Sequence, residues 1–262
     1  MPFQKGDYIL LEYTVVDKDD NKVVETTVED KAKEAGIYRP DEVYEPRLII
    51  IGETKLFEPL EQAIMNSSEG QEITVEIPPD KAFGQRDPSK VRVISIREFY
   101  RYGKLPRVGD IVEVNNQQGR VVSITGGRVT LDFNHPLAGK TLIVTAKVIK
   151  KLETAEDKVK YIVKQYIPRI EIDKVRVELG EGGSIVTIKL PIETLFMENI
   201  GTIKARIADD IGNRFTGGVN KVVFVDEIEI KRETETKPAE AKAEEKQAEL
   251  KPETQQVQQS SQ

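Results

Sequence analysis

The sequence predicts an α+β chain built in pieces: a β-rich region of about 150 residues carrying a small β-rich insert, a mixed α+β unit, and a tail. Three observations predict it. Runs of β-branched and aromatic residues, punctuated by Asp, Asn and Gly clusters, recur from residue 8 to residue 150. Helical spacing is confined to short stretches, of which 56–65, 158–166 and 200–211 are the clearest. Residues 233–262 hold seven glutamates against four lysines, no aromatic residue, and only Leu250 and Val257 as large aliphatics. Such a segment cannot bury enough apolar surface to offset its chain entropy, so it reads as a disordered tail. At 262 residues the chain is long enough for about two domains of roughly 100–200 residues and a small third.

The elements follow in order. Residues 8–16, YILLEYTVV, form a strand that ends in the turn cluster 17–21, and 22–26 start its return. A polar stretch, 29–46, contains a helical turn near 31–35. Residues 47–51 are a strand closed by Gly52. Residues 56–65 are a helix with Leu56, Leu60, Ala63 and Ile64 on one side, stopped by Asn66 and Gly70. Residues 71–77 alternate, with Ile73, Val75 and Ile77 against Thr74 and Glu76, and end at Pro78 and Pro79. Within 91–132 the pattern gives a strand to 96, a helical turn over 97–102, and three short β segments at 111–114, 119–124 and 129–133. Turns are signalled at Asn115-Asn116 and Gly126-Gly127. Residues 141–150 are a strand like those of the first region. Thr154 has N-cap character with Asp157 three residues on, and 158–166 follow as an amphipathic helix closed by Pro168. Residues 174–179 and 184–190 form a hairpin, 200–211 a helix ending at Gly212, and 221–230 a last strand.

Composition removes whole classes of chemistry. The absence of cysteine excludes disulfides, thiolate metal sites and cysteine nucleophiles. His135 is the only histidine, which excludes multi-histidine metal centres, and as a lone residue before a proline it reads as a hydrogen-bonded turn residue. The longest aliphatic run, 48–51, is far too short to span a bilayer. The N-terminal MPFQKGDYILLEY has no basic segment followed by an apolar core, so no signal peptide is expected and a cytoplasmic location is the default expectation. A net charge of −6 with dispersed Lys and Arg argues against nucleic-acid binding. Gly180-Glu181-Gly182-Gly183 lacks the Lys and Ser/Thr that a phosphate loop requires.

Three segments taken together are more specific: GETKLFEPLEQAI (52–64), IPPDKAFGQRDPSKV (77–91) and DFNHPLAGKTLIVTAKV (132–148). In this order, with an insert of some 40 residues between the second and the third, they resemble the FKBP-type prolyl isomerases, and within them the SlyD-like and archaeal branch. The resemblance covers roughly residues 3 to 152, and NHPLAGKTL at 134–142 is its most specific part. It implies a bent antiparallel FKBP-type sheet wrapped on one short helix, residues 56–65, with an apolar pocket for a prolyl ring between them. The units expected are an FKBP domain over 1–86 and 133–153, an insert-in-flap chaperone domain over 87–132, a C-terminal α+β domain over 154–232, and the tail.

Carried over by motif, the resemblance implies Tyr13, Glu25 and Phe83 as the catalytic residues. It implies Val24, Leu56, Phe57, Leu60, Leu137, Leu142 and Val144 as the substrate-binding wall. The match departs from the family pattern at four of these. Glu25 replaces an Asp, Leu60 stands where many relatives carry Trp, Phe83 replaces a Tyr and so lacks a hydroxyl, and Val144 replaces a Phe. SlyD proteins that bind nickel use a His/Cys-rich tail; this tail has neither residue, so no metal and no cofactor are expected. The implied activity is cis–trans isomerisation of X-Pro bonds in folding polypeptides, with chaperone activity. The alternative is a holdase with a decayed pocket. The expected partners are unfolded or nascent proline-containing chains, with neither nucleic acid nor membrane; a homodimer through the C-terminal domain stays open. Val91, Val93, Ile96, Phe99, Tyr100, Tyr102, Leu105, Val112, Val121 and Ile124 are many large side chains for so small an insert. They either close its own core or leave an exposed client-binding surface.

Overall fold

The computed structural model describes residues 2–100, 105–215 and 218–228. Residues 1–227 form one packed unit; residues 228–262 form a second, of which only Ile228 is described. The tail expected over 233–262 therefore lies outside the described residues, as do residues 101 and 102 of the helical turn and the last two positions of the final strand.

The strands are β1 (Tyr8–Asp17), β2 (Lys22–Thr26), β3 (Arg47–Ile50), β4 (Glu72–Ile77), β5 (Val91–Ser95), β6 (Ile111–Val114), β7 (Gln117–Thr125), β8 (Arg128–Asp132), β9 (Leu142–Leu152), β10 (Arg176–Leu179), β11 (Ile185–Leu190) and β12 (Lys221–Asp226). The helices are α1 (Glu29–Glu34), α2 (Glu58–Met65), α3 (Ile96–Tyr100), α4 (Ala155–Tyr166) and α5 (Ile200–Arg214). They build three sheets: a five-stranded one in the order β2-β1-β9-β4 with β3 also on β1, a four-stranded one in the order β5-β8-β7-β6, and a three-stranded one in the order β10-β11-β12. All pairings are antiparallel except β11 with β12. The class is α+β. Among the described residues no helix is long and apolar enough to cross a membrane.

The large sheet buries both faces along part of β1 and β3. Ile9, Leu11, Ile49 and Ile51 turn to one side, where they pack with Leu60 and Ile64 of α2 and with Leu142, Val144, Ala146 and Val148 of β9. Tyr8, Leu10, Leu48 and Ile50 turn to the other side and share a core with Val159, Ile162 and Val163 of α4 and Ile207 and Ile211 of α5. A two-sided strand needs no polar alternation, which is why YILL and LIII read as unbroken apolar runs. The insert's sheet closes a far smaller core, with Phe99, Val121, Val129 and Leu131 as its buried members. Its β6–β7 turn is made by Asn115 and Asn116, both with positive φ (52° and 61°), and the β7–β8 turn by Gly126 and Gly127. These are the residue types that a two-residue hairpin demands.

Two boundaries differ from expectation. Helix α2 begins at Glu58, so Leu56 and Phe57 precede it, with Phe57 as its extended N-cap (ψ 129°). Pro59 has no N–H to give and so belongs in the first turn, which sets the start. Helix α5 runs through Gly212 to Arg214. A helical Gly costs only about 1 kcal/mol against Ala. Burial of Ile207 and Ile211 and the i,i+4 pair of Arg214 with Asp210 (2.7 Å) carry the helix past it. At Thr154 the N-cap is made as expected, its hydroxyl accepting from Asp157 N–H at 3.1 Å, and α4 starts directly behind it.

The insert joins the large sheet through a narrow neck. Asn134 accepts from Asp87 N–H (2.9 Å) and donates through Nδ2 to Asp87 O (2.9 Å) and to Asp132 Oδ1 (2.7 Å). Arg86 pairs with Asp132 at 2.6 Å, and Phe133 N–H donates to Lys90 O at 3.0 Å. Burial would raise the Asp132 carboxyl. The Asn134 N–H groups and then Arg86 outweigh it and hold that carboxyl below its ordinary range.

Candidate functional site

On strand β1 alternation turns Leu11, Tyr13 and Val15 to the same side. There they form one wall of a cavity of about 810 Å³. Val144 comes from the neighbouring β9, which pairs with β1 at Val15. Leu56, Phe57 and Leu60 come from the entry to α2. Phe83 comes from the turn after β4, where Pro78 and Pro79 stop the strand and Gly84 N–H donates to Pro79 O at 2.7 Å. Gly84 has φ +79°, a conformation open to glycine, and it lets the chain double back with Phe83 at the mouth.

The floor is apolar and buried, and the mouth is open. Leu11, Leu60 and Val144 are buried, whereas Phe83 is 38% exposed. Phe83 meets the edge of Phe57 at a centroid distance of 5.6 Å and 78°. On its outer side it stacks on His135 at 4.1 Å and 7°. His135 Nδ1 accepts from Leu137 N–H at 3.2 Å, and Gly139 N–H donates to Gly84 O at 2.8 Å. The 134–139 turn thus buttresses the Phe83 turn from behind.

The polar rim is a three-membered network. The Tyr13 hydroxyl donates to Glu25 Oε1 (2.6 Å), and Arg47 Nη1 donates to both the Tyr13 hydroxyl (2.7 Å) and Glu25 Oε1 (2.7 Å). The Arg47 guanidinium also lies 5.5 Å from the Tyr13 ring centroid. Burial first, and then the Glu25 carboxylate, push the Tyr13 phenol well up from its ordinary 10.0, so it remains a protonated donor at neutral pH. Tyr13, Glu25, Leu56, Phe57, Leu60, Phe83 and Val144 all line this one cavity. Val24, Leu137 and Leu142 do not. Val24 is the unpaired residue of a β-bulge, between Glu25 opposite Val15 and Val23 opposite Val16, and it packs on the same core as Tyr13 and Leu56 without lining the cavity. Leu142 is fully buried at the far end of β9, opposite Ile77, and Leu137 sits half-buried in the buttress turn.

Sequence reasoning missed Arg47, and with it the far wall: Val43, Glu45 and Pro46 of the loop before β3, and Tyr161, Lys164, Gln165 and Pro168 at the end of α4. Lys164 bonds Glu45 at 2.7 Å, so the loop is tied to that helix. A carboxylate at position 25 asks for a cation, and Arg47 was the signal available. Nothing in the pattern of α4 announces that its last turn faces a cavity. Among the described residues no cluster of His, Asp or Glu has the arrangement of a metal site. The three carboxylates that line the cavity are all engaged: Glu25 by Tyr13 and Arg47, Glu45 by Lys164, and Glu58 by Lys81.

Residues 92–137 match the family model described as FKBP26, IF domain, and residues 155–229 match that described as FKBP26_C-terminal. The short-type peptidyl-prolyl cis-trans isomerase of Methanocaldococcus jannaschii is 39% identical over 145 residues, 55% of this chain and 91% of the relative. The FKBP-type 16 kDa peptidyl-prolyl cis-trans isomerase of Escherichia coli K12 is 34% identical over 110 residues, 40% of this chain and 73% of the relative. The FKBP-type peptidyl-prolyl cis-trans isomerase SlyD of Helicobacter pylori J99 is 27% identical over 119 residues, 44% of this chain and 64% of the relative.

Proposed function

The chain belongs to the family of FKBP-type peptidyl-prolyl cis-trans isomerases, and from that membership we propose that it speeds cis–trans exchange of X-Pro bonds in polypeptides at the cavity under Phe83. It is an isomerase. The observation that carries the site is the convergence of Tyr13, Leu56, Phe57, Leu60, Phe83 and Val144 on one apolar cavity with a polar rim. The large sheet, with α2 on its inner face, is read as the FKBP-type bent sheet on one helix. We propose the same units as expected above, an FKBP domain over 1–86 and 133–153, an insert over 87–132 and a C-terminal domain over 154–232.

The reaction needs rotation, with no bond made or broken. The barrier of ~18–20 kcal/mol comes from C–N double-bond character. Uncatalysed X-Pro exchange takes roughly tens to hundreds of seconds at 25 °C. The planar amide is the more dipolar form, so water stabilises it more than the twisted one. An apolar floor of Leu11, Leu60 and Val144 offers the amide no replacement for that water and narrows the gap. Walls fitted to the twisted amide add binding that the planar form does not receive. Each 1.36 kcal/mol gained is about tenfold in rate. Arg47 neutralises Glu25 and fixes Tyr13, so the rim orients the chain without setting a bare charge over the amide. Sub-stoichiometric protein should remove the slow phase of a proline-limited refolding reaction; an unchanged slow phase overturns the reading.

The insert is proposed as the holding surface. Val93, Leu105, Val108, Ile111 and Val122 are exposed, between 42% and 66%, on a module with a small core. So many exposed apolar side chains on so small a module support an interaction surface, and unfolded proline-containing chains are the matching partner. Phe83 favours a second reading, a holdase with a weakened pocket, because its ring offers no hydroxyl to a substrate carbonyl. The same refolding assay separates the two.

A further inference from the structure

A second cavity, of about 820 Å³, opens between the loop before β3 and the C-terminal region. It shares Val43, Arg47 and Pro168 with the prolyl cavity, so the two are halves of one groove with those residues as common wall. Its floor is apolar. Ile167 and Ile170 are buried, Pro191 flanks them, and Met197 stands at the rim, 37% exposed. Thr194 brings the one hydroxyl of the floor, and it is already donated to Pro191 O at 2.8 Å.

The basic side chains around the groove are already engaged. Lys174 pairs with Glu171 (2.8 Å) and Glu193 (3.8 Å). Arg47 holds Glu25 and lies 3.9 Å from Glu42, and Arg169 donates to Asp41 O at 2.9 Å. An anionic guest would have to break one of these bonds; an uncharged apolar side chain displaces only water. The groove is also held open in advance. Lys164 bonds Glu45 on the loop and Ile170 O (3.1 Å) beneath the second cavity, and Arg169 fixes the loop from the other end. A preformed site spares the guest the cost of ordering it.

We propose that the substrate polypeptide continues from the prolyl cavity over the Val43–Pro168 ridge into this second cavity, which takes an apolar side chain some residues away from the proline. The proposal rests on the prolyl reading above. A polypeptide is the guest that continuity selects, since the occupant of the first cavity is a chain that must leave by an open end. The C-terminal region then determines which prolines in a client are served, by sequence at a distance from the bond that turns.

The test uses the full-length chain, a proline tetrapeptide, and longer hydrophilic peptides in which one Leu is moved stepwise away from the proline on either side. At one spacing, binding of the labelled peptide and its kcat/KM should both rise by about three- to tenfold over the peptide without Leu. Met197→Glu should erase that gain and leave tetrapeptide turnover unchanged. Ile192→Glu, exposed and outside the groove, should do neither. The proposal is overturned if no spacing gains, or if Met197→Glu slows the tetrapeptide as much as the long peptide. It is equally overturned if that variant changes only the sedimentation of the protein, which would make the cavity a face between copies. If the Leu spacing shows in binding while the tetrapeptide is not turned over at all, the prolyl reading fails and the groove stands as a peptide site.

Discussion

Phe83 is fixed on two sides, by the edge of Phe57 and the flat face of His135, so its orientation is set before any substrate arrives. A group added to the ring would inherit that orientation at little entropic cost. Phe83→Tyr should therefore raise kcat/KM several-fold, since one net hydrogen bond to the substrate carbonyl is worth about 0.5–1.5 kcal/mol. The check is tetrapeptide kinetics on a variant with unchanged thermal stability; an equal or lower rate would deny position 83 its role. At this scale Leu60 and Val144 of the cavity floor came from the family motif, whereas Leu11 was not read as part of it, although strand alternation sets it on the same side as Tyr13. The rim was half legible. Tyr13 and Glu25 came from motif, whereas Arg47 needed the register that sets Leu11 opposite Arg47 on β3. No local pattern encodes a register between strands some 35 residues apart in the chain.

Among the elements, β7 carries the sharpest steric demand. Gly119 lies under the Phe133 ring, where a Cβ would sit 2.8 Å from Cε1. Gly119→Ala should destabilise the insert by about 1–3 kcal/mol, the usual cost of overpacking. Hydrogen exchange should show faster opening confined to β5–β8, with tetrapeptide turnover retained. The neck makes a pH prediction. Asp132 titrates below its ordinary 3.8 in the folded chain, so its contribution is fully present above that value and is lost as pH falls through the lower, folded value. Insert protection should be flat from neutral pH to about 5 and fall only below about pH 4. Asp132→Asn should flatten that acid limb. Hairpins of this module were readable from Asn-Asn and Gly-Gly, because backbone sterics alone select those residues. The start of α2 was also readable, from Pro59, and was missed; the length of α5 was not, since the burial of Ile211 and the Arg214–Asp210 pair that carry the helix past Gly212 are settled by packing.

On the scale of the whole chain, the large sheet is covered twice, and its second cover is α4 and α5. Truncation after residue 153 would uncover Tyr8, Leu10, Leu48, Ile50 and Leu152 together. The shortened chain should bind a hydrophobic dye and melt at lower temperature than the full chain; equal melting temperatures would show that α4 and α5 add no stability to the sheet. The insert should behave in the opposite way. Val91 and Asp132 are register partners, so joining them by a two-residue turn in place of 92–131 closes a hairpin without moving either end. Such a variant should keep its rate on a tetrapeptide and lose most of its rate on an unfolded protein, because a client held beside the cavity works at a raised effective concentration. Equal losses on both would make the insert a structural prop. The neck that Asn134 ties has a wider consequence. Because both chain ends meet there, the host sheet needs from any passenger only a pair of neighbouring termini. Residues 87 and 134 mark a socket, and a foreign peptide-binding module could be exchanged into it with the isomerase beneath left as it stands.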